Sequence, residues 1–446
     1  MAILGFLLPV AIGIFTTGAI TGSRRLVFAM AGCGIGFGIC SGTYFLSLLW
    51  GLPVVALDLA ALAAAGLAWQ RFGNRKRLTR AAAGGNRRMA ILFAVVASAA
   101  AAAFWVLSLS RPHGHWDAWC IHNLHARFLF RGGAHWRDGF TSLLEWSHPD
   151  YPPLIPASVA RLWSYAGRET QFAAEALGFV FTFGTVGIVA AGVAMVRDRR
   201  RGMLAGLFLL STPLLINFGS WECADVPLAF FFLCALLFSV ADEPVMAGIS
   251  ASLGAWTKNE GILLLLAVVA AAMIALAVER AWSRLRELLL MAAGAAPVLM
   301  LVFWFKRNLA PPNDLMSGQS GHTLEWLMDP SRYLQAAAGF IEHGLLFGGL
   351  AIPVVVALVL CLLLDRAQVP ARDRTWKPAL AVTLALAGDY LVYVTSYRPI
   401  PWLISNSLDR ILMQIWPAAV FTAFLLPVGR LEPGHRWTST GNAGDR

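Results

Sequence analysis

Long apolar runs separated by short polar stretches recur along the whole chain, and their length is the first signal. A helix crossing a bilayer needs about 20 apolar residues. Runs of this kind occupy 2–20, 26–50, 52–69, 89–109, 172–196, 202–218, 226–241, 262–278, 288–305, 344–364, 379–397 and 411–428. A further run, 246–257, is too short to cross fully. The pattern predicts an all-α, polytopic membrane bundle of about 13 hydrophobic segments. Only residues 21–25 separate the first run from the next, and no A-x-A site stands out, so the first run reads as a retained helix rather than a cleaved signal peptide.

Composition agrees. Of 446 residues, 58% are hydrophobic and 13% charged, against roughly 25% charged in a soluble domain. A disordered, fibrous or disulfide-rich secreted chain is excluded. The net charge of +10 follows topology, which removes nucleic acid as a partner. With the N-terminus outside, the inside segments 21–25, 71–88, 197–201, 242–245, 279–287, 365–378 and 429–446 hold 23 basic and 9 acidic residues. The remainder holds 12 basic and 16 acidic residues. Such an excess of Lys and Arg marks the cytoplasmic face, so the C-terminus is expected inside. Segment 71–88 has seven basic and no acidic residues and reads as a topology signal, with an anionic-lipid or partner patch as the alternative.

Four units result: a three-helix membrane unit at 1–70, a basic cytoplasmic loop at 71–88, a main membrane module at 89–428 and a cytoplasmic tail at 429–446. The outside stretches 110–171, 219–225, 306–343 and 398–410 have the polar content that chemistry needs. The first is long, rich in Trp and His, and carries short amphipathic helices such as 157–165. Between 246–257 and 262–278 lies Thr257-Lys-Asn-Glu-Gly261, whose Lys258 and Glu260 line a wet cavity or neutralise each other in an outside turn.

The first loop opens with Trp116-Asp-Ala-Trp119. The tryptophans suit an interface. Asp117, in an apolar setting, suits a base or a metal ligand, or simply an N-cap. Six of the nine histidines fall between His113 and His148, but no fixed ligand spacing accompanies them, so interfacial or substrate-bonding roles compete with zinc. The loop closes with Ser147-His-Pro-Asp-Tyr-Pro-Pro153, where prolines hold His148, Asp150 and Tyr151 in a rigid turn. Glu222 and Asp225 stand one helical turn apart, as an acid pair or an N-cap. Arg410, with Arg398 nearby, suits a phosphate at the mouth of the last span, or caps it with Asp409. Asp58 and Asp389, inside spans, read as buried hydrogen-bonding groups. Cys120 and Cys223 both lie outside and are able to pair in an oxidising compartment.

The order WDAW, HPDYPPLIP, ADVPLAFF, WTKNEG and SLDRILMQIWP resembles bacterial GT-C superfamily glycosyltransferases, the group of protein O-mannosyltransferases and the lipid A aminoarabinose transferase. The resemblance spans about 89–428 and departs from the family in two places. Asp117 lacks a second acid beside it, and Asp150-Tyr151 replaces a Glu-Lys. It implies a GT-C-like catalytic module in a bacterial inner membrane, with a site facing the periplasm. A polyprenyl-phosphate-linked sugar would be the donor, and an envelope glycan, lipid or protein the acceptor. Asp117 would be the base. Lys258 and Arg410 would hold the leaving phosphate, and Asp225 with Glu222 the acceptor. Asp150 and Tyr151 would shape the sugar pocket, and His148 and Glu260 would also bind substrate. No cofactor is certain; a divalent cation, Mg2+ or Mn2+, on Asp117, Glu222 and Asp225 stays open. The competing readings are a lipid-linked sugar flippase or exporter and a non-catalytic subunit of an envelope-glycan assembly complex.

Overall fold

The computed structural model describes residues 1–23, 25–73, 87–313, 322–349, 353–363 and 376–426. Most of the basic loop 71–88, the tail 429–446 and parts of 306–343 and 365–378 lie outside the described residues. The helices are α1 (Ala2–Thr21), α2 (Leu26–Trp50), α3 (Val54–Phe72), α4 (Arg87–Ser110), α5 (Asn123–Arg131), α6 (Leu154–Ala166), α7 (Gln171–Val196), α8 (Arg199–Leu210), α9 (Pro213–Ser220), α10 (Asp225–Val240), α11 (Pro244–Thr257), α12 (Glu260–Val278), α13 (Leu285–Asn308), α14 (Thr323–Leu327), α15 (Pro330–Leu345), α16 (Val354–Leu363), α17 (Trp376–Thr395) and α18 (Ile400–Leu425). No strand occurs among the described residues.

Nine of these helices are long and apolar enough to cross a membrane: α1–α4, α7, α12, α13 with the turn before it, α17 and α18. The run at 202–218 forms two helices, α8 and α9, bent by 64°, which together would make a tenth. Thr212 and Pro213 cause that bend, because proline at a first helical position restarts a helix. The runs at 226–241 and 246–257 become helices of 16 and 14 residues.

α10 is the centre. Every residue from Asp225 to Phe238 is buried, and a helix apolar on all sides belongs inside a bundle. It packs against α7, α11 and α18, which carries Asp225 at its N-terminus into the loop-bearing end of the bundle.

The first three helices are continuous with this core. α1 crosses α2 at glycine: a Cβ on Gly13 would lie 1.8 Å from the carbonyl oxygen of Gly32, and one on Gly36 would lie 1.8 Å from that of Pro9. Small residues permit such backbone approach. α6 is nearly wholly buried, which corrects the expected amphipathic surface helix at 157–165. Its one charge, Arg161, points inward because Asp58 on α3 awaits it. Arg161 Nε donates to Asp58 Oδ2 at 2.9 Å, and the Gly5 carbonyl accepts from Nη1 at 2.7 Å. Tyr165 donates to Oδ2 and Thr43 to Oδ1, each at 2.7 Å. The clamp ties α3, α2 and α1 to the long loop. Tyr165→Phe, which removes one donor to a buried charge, is expected to cost about 1.5–3 kcal/mol, read as a lower thermal midpoint in detergent. An unchanged midpoint would show that the hydroxyl is dispensable.

Candidate functional site

Four charges spread from residue 117 to residue 410 meet above α10. Asp225, fully buried, occupies the first turn of α10, where the positive helix end favours an anion. Its Oδ1 accepts from Lys258 Nζ at 3.0 Å and from Gln414 Nε2 at 2.7 Å, and its Oδ2 accepts from Arg410 Nε at 3.1 Å. Arg410 turns its other face to Asp117, with Nη2 paired to the carboxylate. Lys258 also contacts Glu260 Oε1 at 2.8 Å. Two cations therefore link three carboxylates: Arg410 bridges Asp117 and Asp225, and Lys258 bridges Asp225 and Glu260. Burial by itself would discharge Lys258, but Asp225 and Glu260 reverse that and hold it charged above its ordinary range.

The backbone break that delivers Lys258 is built by sequence. α11 ends at Thr257, Lys258 is extended (φ −159°, ψ 158°) and α12 starts at Glu260. A Cβ on Gly261 would lie 2.0 Å from the Gly254 carbonyl oxygen, so glycine allows the two helices to close on each other. Lys258 is 2% exposed, and it pairs with Glu260 as the neutralising reading expects, but inside the bundle rather than in an exposed turn. Asn259 locks the break to the end of the first loop: its amide donates to Asp150 Oδ2 at 2.6 Å, and its carbonyl oxygen accepts from Lys306 at 2.6 Å. Asn313 donates to the same Asp150 oxygen at 2.6 Å. Beside them, Lys258 lies 5.7 Å above the Tyr151 ring, which stacks on His148 with centroids 4.8 Å apart. His148 takes a left-handed φ of 48° to present that ring.

Asp117 reaches the site on a short irregular helix. A π-helical turn spans Ala118–His122 before α5, a form that recurs at functional sites. Asp117 makes no side-chain capping bond, so its carboxylate serves Arg410 and not the helix end. Trp116 and Trp119 stay about half exposed, as interface anchors do.

Several expectations need correction. Glu222 does not join Asp225: it takes a positive φ of 58° and accepts from Asn123 Nδ2 at 2.9 Å. Asp117, Glu222 and Asp225 therefore form no common ligand set. The oxygens of Asp225 are taken by Lys258, Arg410 and Gln414, and Arg410 is bound to Asp117. No group of three or more His, Cys, Asp or Glu able to hold a metal occurs among the described residues. Cys120 and Cys223 are free, buried thiols rather than a disulfide. Arg410 lies inside α18, not at its mouth, since the helix starts at Ile400 within the expected loop 398–410. Asp409 pairs with His343, not with the helix end, and Arg398 stacks on Tyr397 and Trp402. Burial lowers His122 to about 4 and His125 to about 3, so both are neutral; His125 Nε2 lies 3.1 Å from Ser147 Oγ. Asp389 is buried, but one of its oxygens has no hydrogen-bond partner.

Burial raises Glu222 to about 7, against the lowering effect of Asn123. The native state then holds its proton more tightly than the unfolded chain between the ordinary carboxylate value and about 7. Stability falls as pH rises through that window, and the loss is complete above it. Glu222→Gln removes the effect. The variant is expected to match wild type at pH 5 and to melt a few degrees higher at pH 8; equal midpoints at both pH values would refute the shift.

Gln414, Asn259, Asn313 and Lys306 are the site residues that sequence reasoning missed. Gln414 follows Arg410 by four residues on one helical face, a spacing that was available as a signal. No protein-family model, curated protein or solved structure matches this chain.

Proposed function

We propose that the protein is a membrane glycosyltransferase that moves a sugar from a polyprenyl-phosphate donor to a hydroxyl on an envelope glycan, lipid or protein, with inversion. A GT-C-like module in a bacterial inner membrane, its loop-bearing end in the periplasm, belongs to the same reading. The observation that carries it is the bridge made by Arg410. Its guanidinium joins a buried carboxylate, Asp225, to a partly open one, Asp117, whose side chain is 13% exposed. An arriving lipid phosphate is a stronger bidentate partner for arginine than a single carboxylate. It would draw the outer nitrogens of Arg410 from Asp117, while Asp225, itself held by Gln414 and Lys258, keeps the arginine's inner side in place.

Asp117, once released, accepts the proton of the acceptor hydroxyl as that oxygen bonds to the anomeric carbon. The bond from that carbon to the phosphate oxygen breaks, and the electron pair leaves with the lipid monophosphate. Lys258 and Arg410 face the growing charge; fixed cations that need no reorganisation are what such a step requires. A covalent retaining route needs a second carboxylate in line, and Asp225 is occupied on both oxygens. The side chains proposed for a divalent cation do not converge, so no step runs through one.

Mass spectrometry of envelope glycolipids and glycoproteins tests this reading. A deletion strain is expected to lack one species heavier by a single sugar, and the wild-type gene to restore it. Identical profiles with and without the gene, in cells that make polyprenyl-phosphate sugars, would overturn the reading.

A further inference from the structure

Beside Glu222 and Asn123 lies a concavity to which the reaction above assigns no role. It has a volume of about 190 Å3, whereas a cavity needs about 10–15 Å3 on the same measure to hold one water. Its walls carry His113, Asn123, Arg127, Glu169, Gln171 and Glu222. Trp163, held by a 2.8 Å bond from Nε1 to the Thr170 carbonyl, adds an aromatic wall. A smaller hollow of about 20 Å3, room for a single water, shares Asn123, Ala174 and Glu222 with it. That hollow is closed by Cys223 and Pro227, which flank Asp225 in sequence, and by His122, whose Nδ1 is buried without a partner. The concavity thus backs onto the segment that places Asp117 on one side and Asn123 on the other.

Its chemistry is specific. The one guanidinium among its lining residues, Arg127, is paired to Glu169 at 3.4 Å, and the exposed Arg131 shares that carboxylate from outside the lining. Glu222, 8% exposed, and Asn123, 4% exposed, form a built pair of acceptor and amide. Amide, carboxylate and guanidinium groups beside one indole match a ring bearing hydroxyls. An acyl tail would press hydrocarbon against these polar groups and meet none of their remaining hydrogen-bonding capacity.

We infer that this concavity is a saccharide subsite, and that it holds the sugar of the acceptor while the donor phosphate sits at Arg410 and Lys258. The acceptor role rests on the function proposed above; saccharide binding does not.

The test uses the full-length protein in nanodiscs. Saturation-transfer NMR with neutral probes (mannose, glucose and N-acetylglucosamine) is expected to show binding that inorganic phosphate does not displace. Ala174→Phe, which fills the shared wall, is expected to abolish it. Glu222→Gln, isosteric and expected to fold, should weaken it about tenfold. In the transfer assay, Ala174→Phe should lose transfer to the acceptor yet keep donor hydrolysis and donor KM. Unaltered binding in both variants, or no binding in wild type, overturns the inference. A rise in donor KM in Ala174→Phe overturns the acceptor assignment, since the donor sugar would then be the occupant. Saccharide binding in a protein that turns over no donor sinks the proposed function and still supports the subsite.

Discussion

Asp117→Asn is expected to lower sugar transfer by about 10²–10⁴-fold, the usual worth of a positioned general base, in protein that still folds and inserts. The substitution is isosteric. It removes the lone pair that takes the proton but leaves Asp225, Lys258 and Gln414 in place. Arg410 keeps its 3.1 Å bond to Asp225, so the cationic surface for the phosphate survives. The loss should therefore fall on kcat, and donor KM should hold or fall slightly, because Arg410 no longer has to leave a carboxylate to meet the phosphate. Steady-state kinetics with purified protein and a polyprenyl-phosphate sugar separate the two. Full activity in Asp117→Asn would end the role of this residue.

Much of this site was legible because charge is scarce in an apolar chain: an acid or a base near a membrane is costly unless it is used. Asp117, Asp225, Lys258 and Arg410 stood out on that ground, and all four meet. Local conformation was harder to read. Glu222 looked like the partner of Asp225 by helical spacing, but spacing presumes helical backbone, and its positive φ turns it towards Asn123. The helix start at Ile400 was hidden by Pro399 and Pro401, which resemble a loop while also suiting the first turn of a helix. α6 failed for a different reason. Arg161 in an apolar helix suggests a polar face towards water, whereas its partner Asp58 lies 103 residues away. Membrane-type helices were plain from run length, but bends and short helices were not, since a 16-residue run and a 20-residue run differ little in composition.

Arg410→Gln separates stability from chemistry. Transfer is expected to fall by about 10²–10³-fold, as when a fixed donor to a developing oxyanion is removed. Stability should fall less than the loss of a whole buried pair implies, because Lys258 and Gln414 still bond Asp225 Oδ1. Asp225→Asn should behave in the opposite way. It leaves Lys258 with Glu260 and Arg410 with Asp117 but strips both of their shared inner anion, and removing one member of a buried ionic set costs about 3–5 kcal/mol. If the network only held the helices together, the double variant Asp225→Asn/Arg410→Gln would recover much of both the stability and the transfer. If Arg410 meets the leaving phosphate, the double variant recovers thermal stability alone and transfer stays at the level of Arg410→Gln. Measuring melting midpoint and kcat on the same four proteins decides between these outcomes, since a purely structural bridge has no means of restoring one without the other.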